Sequence, residues 1–469
     1  MADGDNDCNP GSNKRMRPAD DREDNISMDL FELYSGDFGQ QLISFASAAE
    51  LCKLDLLSKN FRGLTTKIWD ERTYERFGMK NGKDGWRMGT SFLREPVYLH
   101  INQHPTHGNM YYAGSPNVTA NDSLIAVDTD DGDDDEEYAP EGTGIYDATD
   151  LSYLGPRRGG GWRTVLAGTR GNELLVTSMS NRLDFRREAI THRQHFQNNR
   201  NPEGIYMIAS ETHVVLVIGI TLHLYKIVSD DRLVELCQSK PLGRSSNDRE
   251  YYNTAIDWGK DRSSEFIVYH CIRDSEARGE DETPVTSVIT VWTLDTEADD
   301  IIQAQTIGTS VILREVVLGE DFIVGSCGRK MIHVWDRHTG EKTQDLLCDI
   351  EEYDDQLSPF DIIYPLRMSF HGHILVTTSH IGVAICIWNV RTGSLLKRHN
   401  NADEMRRVDM LPDGFDATSM AYVKPLNGYI CASGYLNIWI FPTNQQQYDK
   451  ADMIRDREEE IERDWLNSS

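Results

Sequence analysis

Short apolar runs bounded by Gly, Asn, Asp and Thr recur between Glu95 and Thr443. The run Met331–Trp335 alternates, which places Ile332 and Val334 on one side of a strand and Met331, His333 and Trp335 on the other. Arg337-His338-Thr339-Gly340 follows as a turn, with a glycine available for positive φ. Before it, Phe322–Val324 predicts a partner strand, joined through Gly325–Lys330 as a hairpin.

The same unit returns. Trp335-Asp336-x-x-Thr-Gly reappears as Trp388-Asn389-x-x-Thr-Gly, and apolar strands also end on or carry Tyr225, Trp292 and Trp439. Weaker copies centre on Tyr146 and Phe185. Most intervals between these aromatic anchors lie near the ~40–45 residues of one four-stranded blade. The longest, from Tyr225 to Trp292, holds the polar run Cys271–Ser287, which reads as a loop insertion between two strands. A small sheet cannot bury both of its faces alone, so each needs a large anchor to pack against its neighbour. On these residues the chain resembles the WD-repeat family of β-propellers, with Trp335-Asp336 as the namesake pair and Val383–Ser394 as a second match. The resemblance implies a mainly β fold, a WD-repeat-like propeller of about seven blades over 95–443. Its structural anchors would be Tyr146, Phe185, Tyr225, Trp292, Trp335, Asp336, Trp388 and Trp439. Gly328 stands where the family usually has aspartate, and Gly372-His373 lies too close to Trp388 to open a blade.

Ahead of the strands the period changes. Ser47-Ala48-Ala49-Glu50 is a capping box that starts a helix at Ala48. Leu51, Leu54, Leu57 and Phe61 then form one apolar stripe, with Lys53, Lys59 and Arg62 on the solvated side. Gly63 is expected to end this helix, with Leu64, Ile68 and Trp69 continuing an apolar face into a second one. Upstream, Phe38, Leu42 and Phe45 suit a further short helix. Two or three helices in ~40 residues make a very small core, rarely stable without a partner surface. This segment resembles an F-box, although the family's opening Leu-Pro has no counterpart near Tyr34-Ser35. The resemblance implies that Leu42, Ile43, Phe45, Leu51, Leu54, Leu57, Phe61 and Trp69 bind the adaptor of an SCF-type ubiquitin ligase. The alternative from the residues alone is a helical cap that binds nothing else.

The resulting organisation is a charged N-terminal tail (1–29), F-box-like helices (30–80), a linker (81–94), the propeller (95–443) and a charged C-terminal helix (444–469). That last helix rests on the spacing of Met453, Ile454, Ile461 and Trp465. F-box followed by propeller resembles a substrate receptor: no catalysis of its own and no cofactor or metal, with adaptor and cullin on one side and a protein substrate on the other. The rival class is a WD-repeat scaffold in trafficking, chromatin or RNA-processing assemblies.

Composition narrows the picture further. The chain has 469 residues, 39% of them hydrophobic, and no run approaches the ~18 apolar residues of a membrane span. The N-terminus lacks the apolar core of a signal peptide. Eight scattered cysteines without Cys-x-x-Cys suit a reducing compartment, cytoplasm or nucleus. A net charge of −28 repels phosphate backbones. The basic cluster Lys14–Pro18 reads as a solvated tail in preference to a nuclear-localisation signal. Asp128–Glu141 invites a calcium reading, but with Gly132 at loop position 6, positions 1, 3 and 12 are Val127, Thr129 and Tyr138. Arg157–Trp162 lacks the Gly-Lys-Ser/Thr of a phosphate loop. His192 and His195 have no third metal ligand nearby in sequence.

Overall fold

The structure, a computed structural model, describes residues 46–57, 59–101, 117–120, 124–128, 144–147, 149–151, 153–156, 165–170, 173–178, 205–209, 212–218, 221–227, 234–242, 249–258, 264–274, 285–313, 315–327, 331–347, 367–378, 384–400, 419–433 and 435–468. Leu42, Ile43, Phe45, Phe185, His192, His195, Gly328, the glycine-rich run after Arg157 and most of the acidic run after Asp128 lie outside these residues. The chain divides into two units, Met1–Arg76 with Lys80–Trp86, and Phe77–Met79 with Arg87–Ser469.

The first unit is helical. Helix α1 spans Ala48–Leu57, and its capping box is formed as expected. The Ser47 N–H donates to Glu50 Oε2 at 2.6 Å, and the Glu50 N–H donates to Ser47 Oγ at 3.3 Å. Helix α2 spans Lys59–Phe77 and continues through Gly63, so the expected stop at that glycine is wrong. A helical glycine costs only ~1 kcal/mol. Here Thr65 and Thr66 return their hydroxyls to the Arg62 carbonyl at 3.2 and 2.7 Å, tying the turn that contains it. Helix α3, Gly82–Ser91, occupies most of what reads as a linker. Leu51, Ile68 and Trp69 are buried together, with Leu54, Cys52 and Trp86 partly buried around them. Trp69 and Trp86 meet edge to face at 5.9 Å, and the Arg76 guanidinium lies 5.2 Å from the centre of the Trp86 ring.

The second unit is mainly β. Its described strands form six four-stranded antiparallel sheets and one two-stranded sheet. Five of the four-stranded sheets are meanders. These are β2–β5 (Asn117–Ala120, Leu124–Asp128, Gly144–Asp147, Tyr153–Pro156) and β8–β11 (Ile205–Ala209, His213–Ile218, Thr221–Ile227, Val234–Pro241). Next come β12–β15 (Arg249–Trp258, Glu265–Asp274, Val285–Asp295, Asp300–Thr309) and β16–β19 (Glu315–Leu318, Phe322–Cys327, Met331–Asp336, Lys342–Leu347). The fifth is β20–β23 (Arg367–His371, Ile374–Thr378, Ala384–Asn389, Ser394–Asn400). Strands β6 (Val165–Arg170) and β7 (Glu173–Ser178) form the pair. The sixth four-stranded sheet joins distant parts of the chain. Strand β1 (Val97–Ile101) pairs with β26 (Tyr435–Ile440), beyond which lie β25 (Gly428–Ser433) and β24 (Ser419–Val423). First strands of successive sheets adjoin: β8 with β12, β12 with β16, β16 with β20, β20 with β24, and β24 with β2.

Both faces of the central sheets are buried. From the β16–β19 sheet, Ile323 and Trp335 pack with Ile267, Ile289 and Val291 of the preceding sheet. Val324, Ile332 and Val334 pack with Met368, Leu375 and Trp388 of the following one. Trp292 and Trp388 likewise sit in the layer shared with the sheet before their own. The repeated sequence unit has a backbone cause. The pairing register slips immediately before Tyr146, Tyr225, Trp292, Trp335 and Trp388, so each aromatic sits at a β-bulge. In four of these sheets an Asx residue then accepts a backbone N–H. Asp147 bonds Thr149 at 2.6 Å, Asp295 bonds Glu297 at 3.0 Å, Asp336 bonds Thr339 at 2.8 Å, and Asn389 bonds Thr392 at 3.1 Å. The fourth residue after each is left-handed: Leu151 (φ 57), Asp299 (φ 51), Gly340 (φ 73) and Gly393 (φ 73).

Helix α4, Gln445–Ser468, buries Ala451 and Ile454 against the last sheet and the β2–β5 sheet. Met453, counted with the apolar positions of this helix, is instead 72% exposed.

Two predictions follow from this packing. Trp335→Ala removes an inter-sheet anchor that is 3% exposed and should cost ~3–5 kcal/mol, read as a lowered melting midpoint. The second concerns acid. Burial lowers the His270 imidazole to about 4 from 6.5, so the folded chain holds it neutral where the unfolded chain takes up a proton. The stability it contributes is complete above about pH 6.5 and lost as pH falls towards 4, a drop of about 3 kcal/mol. Urea unfolding at pH 7.5 and 4.5 should show a smaller difference for His270→Leu than for the natural chain.

Candidate functional site

On the helical unit, Leu51 is fully buried and Trp69 is 3% exposed, so both hold the unit's own core together. Leu54 leans on that core and is partly buried. Leu57 and Phe61 fall on α1 and α2, whose ranges contain them. The outward face of α1 carries Ala49, Lys53 and Leu56, and Leu56 is 81% exposed. Sequence reasoning missed Leu56, because it falls off the 51-54-57 stripe and reads as filler between Asp55 and Leu57. The neighbouring exposed positions of α2 include Arg62, Thr66 and Lys67. Glu50, bonded first by the Ser47 N–H and then by its hydroxyl, has its carboxyl held below the usual range and stays ionised at the helix start.

In the β unit the anchors Tyr225, Trp292, Trp335, Trp388 and Trp439 are all buried. Tyr146 occupies the corresponding strand position in β4. Asp336 is positioned by the turn, where the Thr339 and His338 N–H groups hold its carboxyl below the ordinary value. Tyr98 stacks edge-on against Trp439 at 5.0 Å, across the β1–β26 pairing.

Polar pairs join neighbouring sheets at the ends where the first and third connections turn. Asp299 receives Lys226 Nζ at 2.7 Å and lies 3.1 Å from His213 Nε2 of the preceding sheet. Arg337 is ion-paired with Glu265 of the preceding sheet and donates to the Glu320 carbonyl at 3.1 Å. His373 Nε2 meets Asp321 Oδ2 at 2.9 Å. Gly372 turns there with φ 60, so Gly372-His373 closes the β20–β21 hairpin and does not open a sheet. Arg337 was invisible as an anchor in sequence, where it reads as a turn residue between Asp336 and Thr339. Near the other end of the β16–β19 and β20–β23 sheets, Arg367 Nη1 and Glu315 Oε1 stand 4.0 Å apart on adjoining first strands.

The chemistry of these groups is that of packing and pairing between sheets. The described cysteines are free thiols, and burial pushes the Cys431 thiol up to about 12, far from a reactive thiolate. Among the described residues no group of three or more His, Cys, Asp or Glu side chains is placed to hold a metal ion. No helix among them is long and apolar enough to cross a membrane.

No protein-family model matches the chain. No curated protein matches it either. Among solved structures, the crystal structure of the computationally designed Ika8 protein aligns with a TM-score of 0.39 and 12% identity, over 71% of this chain and 98% of that one.

The Arg337–Glu265 pair, 8% and 16% exposed, supplies a test of how the sheets are joined. Arg337→Leu should cost ~3–5 kcal/mol in urea unfolding by leaving the carboxylate buried without its cation. The double variant Arg337→Leu/Glu265→Leu should recover most of that loss.

Proposed function

We propose that the chain is a substrate-recognition subunit of an SCF-type ubiquitin ligase, in the cytoplasm or nucleus. The F-box-like helices dock the ligase adaptor and through it the cullin. The sheets form a WD-repeat-like propeller of about seven blades that presents a protein substrate. The order of modules carries this reading: a helical unit opened by a capping box, followed by small sheets built on one repeated aromatic–Asx–turn plan. The ring is supported by the way first strands adjoin in sequence order. It is supported also by the pairing of β1 with β26, from Val97↔Ile440 to Ile101↔Leu436, because a ring needs its two chain ends in one sheet. A non-catalytic role fits a site made of apolar helix positions and inter-strand turns, where recognition rests on shape and charge.

A second reading has one observation in its favour. Leu51 and Trp69 are enclosed by their own helical unit, which suits a helical cap on a WD-repeat scaffold outside ubiquitin chemistry. Calorimetry against an SCF adaptor separates the two. The natural chain should bind, and Leu54→Ala/Phe61→Ala should bind at least ~10-fold more weakly, about 1.4 kcal/mol, with an unchanged circular dichroism spectrum. Absence of binding by the natural chain to a competent adaptor would leave the scaffold.

A further inference from the structure

Phe77–Met79 and the residues from Arg87 onward belong by their contacts to the β unit. At one end, Gly78 turns with φ 64 against the face of His373, so close that a Cβ there would fall 2.1 Å from the imidazole. The Phe77 carbonyl accepts the His373 N–H at 2.7 Å. Phe77 in turn fills the space over Gly89, where a Cβ would meet its ring at 2.4 Å.

At the other end, Phe92 is fully buried in an aromatic box that draws on two sheets. His371 of β20 stands 5.2 Å away, Tyr429 of β25 6.2 Å, and Phe441 just after β26 5.3 Å. The Phe92 carbonyl faces His399 Nε2 of β23 at 2.8 Å. Beside it, Asn427, held left-handed at φ 48, donates to Ser91 Oγ at 2.9 Å and accepts the Tyr422 hydroxyl at 2.9 Å. Glu95 pairs with Lys397 at 2.8 Å. The segment therefore bonds to the β20–β23 sheet and to the sheet in which β1 meets β24–β26.

We infer that residues 77–79 and 87–95 act as a strap across the seam between these two sheets, so that releasing it loosens this seam while the other sheets stay paired. The strap supplies the aromatic that both sheets share, and it satisfies polar groups of each that the strands do not reach. The inference stands whichever partner the chain serves.

Hydrogen–deuterium exchange of the full chain tests it, using one variant at each end of the strap and a control. Phe92→Ala and Gly78→Ala should each speed exchange of β20–β23, β24–β26 and β1 amides by roughly tenfold or more, with β12–β15 at natural rates. Gly63→Ala, where no atom lies within 4 Å of the added methyl, should change none of these. If Phe92→Ala does not fold, Phe92→Leu and Ser91→Ala carry the same comparison. Unaltered exchange at the seam, or equal acceleration in every sheet, would overturn the strap.

Discussion

A sheet whose two faces are both apolar has no stable existence until something covers each side, and this requirement organises the β unit. Its central strands bury nearly every residue, so a side chain on one face serves the sheet before and its neighbour serves the sheet after. The aromatic before the turn is what makes the arrangement work. A β-bulge turns the strand locally and projects Trp335 or Trp388 into the layer shared with the preceding sheet. The following Asx residue caps the turn with its side-chain oxygen, and the left-handed residue returns the chain to the outer strand. Bulge, anchor and turn form one unit, and removing any part misplaces the others.

That explains which copies of the unit could be read from sequence. Trp335 and Trp388 were legible because glycine fills the left-handed position, giving the turn its usual signature. The sheets around Asp147 and Asp295 build the same turn with Leu151 and Asp299 at that position, so nothing in their composition announces it. Trp292 also lies three residues from its Asx residue where Trp335 adjoins its own. The two extra residues preserve strand parity, so the ring still faces the same neighbour. Helix α3 was illegible for a different reason. Its interior glycines, Gly85 and Gly89, argue against a helix, yet Gly89 is there because the Phe77 ring leaves no room for a side chain. The reverse error at Gly63 came from treating a glycine as punctuation where an exposed helix simply tolerates it.

Of the candidate site, the helical pattern was legible and the direction of its side chains was not. The period of Leu51, Leu54 and Leu57 identifies a buried face but cannot say whether the burying surface belongs to the chain itself. Trp69 and Trp86 supply that surface for Leu51 and Leu54. An adaptor of the proposed kind would meet a pre-formed core with an exposed rim, on which Leu56 is the largest exposed apolar group among the described side chains of α1. A pre-formed core loses less entropy on binding than helices that must first fold.

The polar pairs between sheets complete the physical picture, because apolar packing alone leaves a degeneracy. Sliding one sheet along its neighbour by two residues keeps every apolar side chain on its proper face, and the anchors would still find a greasy layer. These polar pairs do not survive that slide. Glu265 would lose the Arg337 guanidinium, Asp299 would lose Lys226 and His213, and Asp321 would lose His373; of these carboxylates Glu265 is the enclosed one. The penalty for stranding a buried charge reaches several kcal/mol, more than a well-made pair contributes net. The aromatics thus set how strongly adjoining sheets hold together, and the charged residues at the strand ends set the height at which they do so. This division also accounts for Arg337 standing inside an otherwise ordinary turn: its position is dictated by a carboxylate on another sheet, which no local sequence pattern contains.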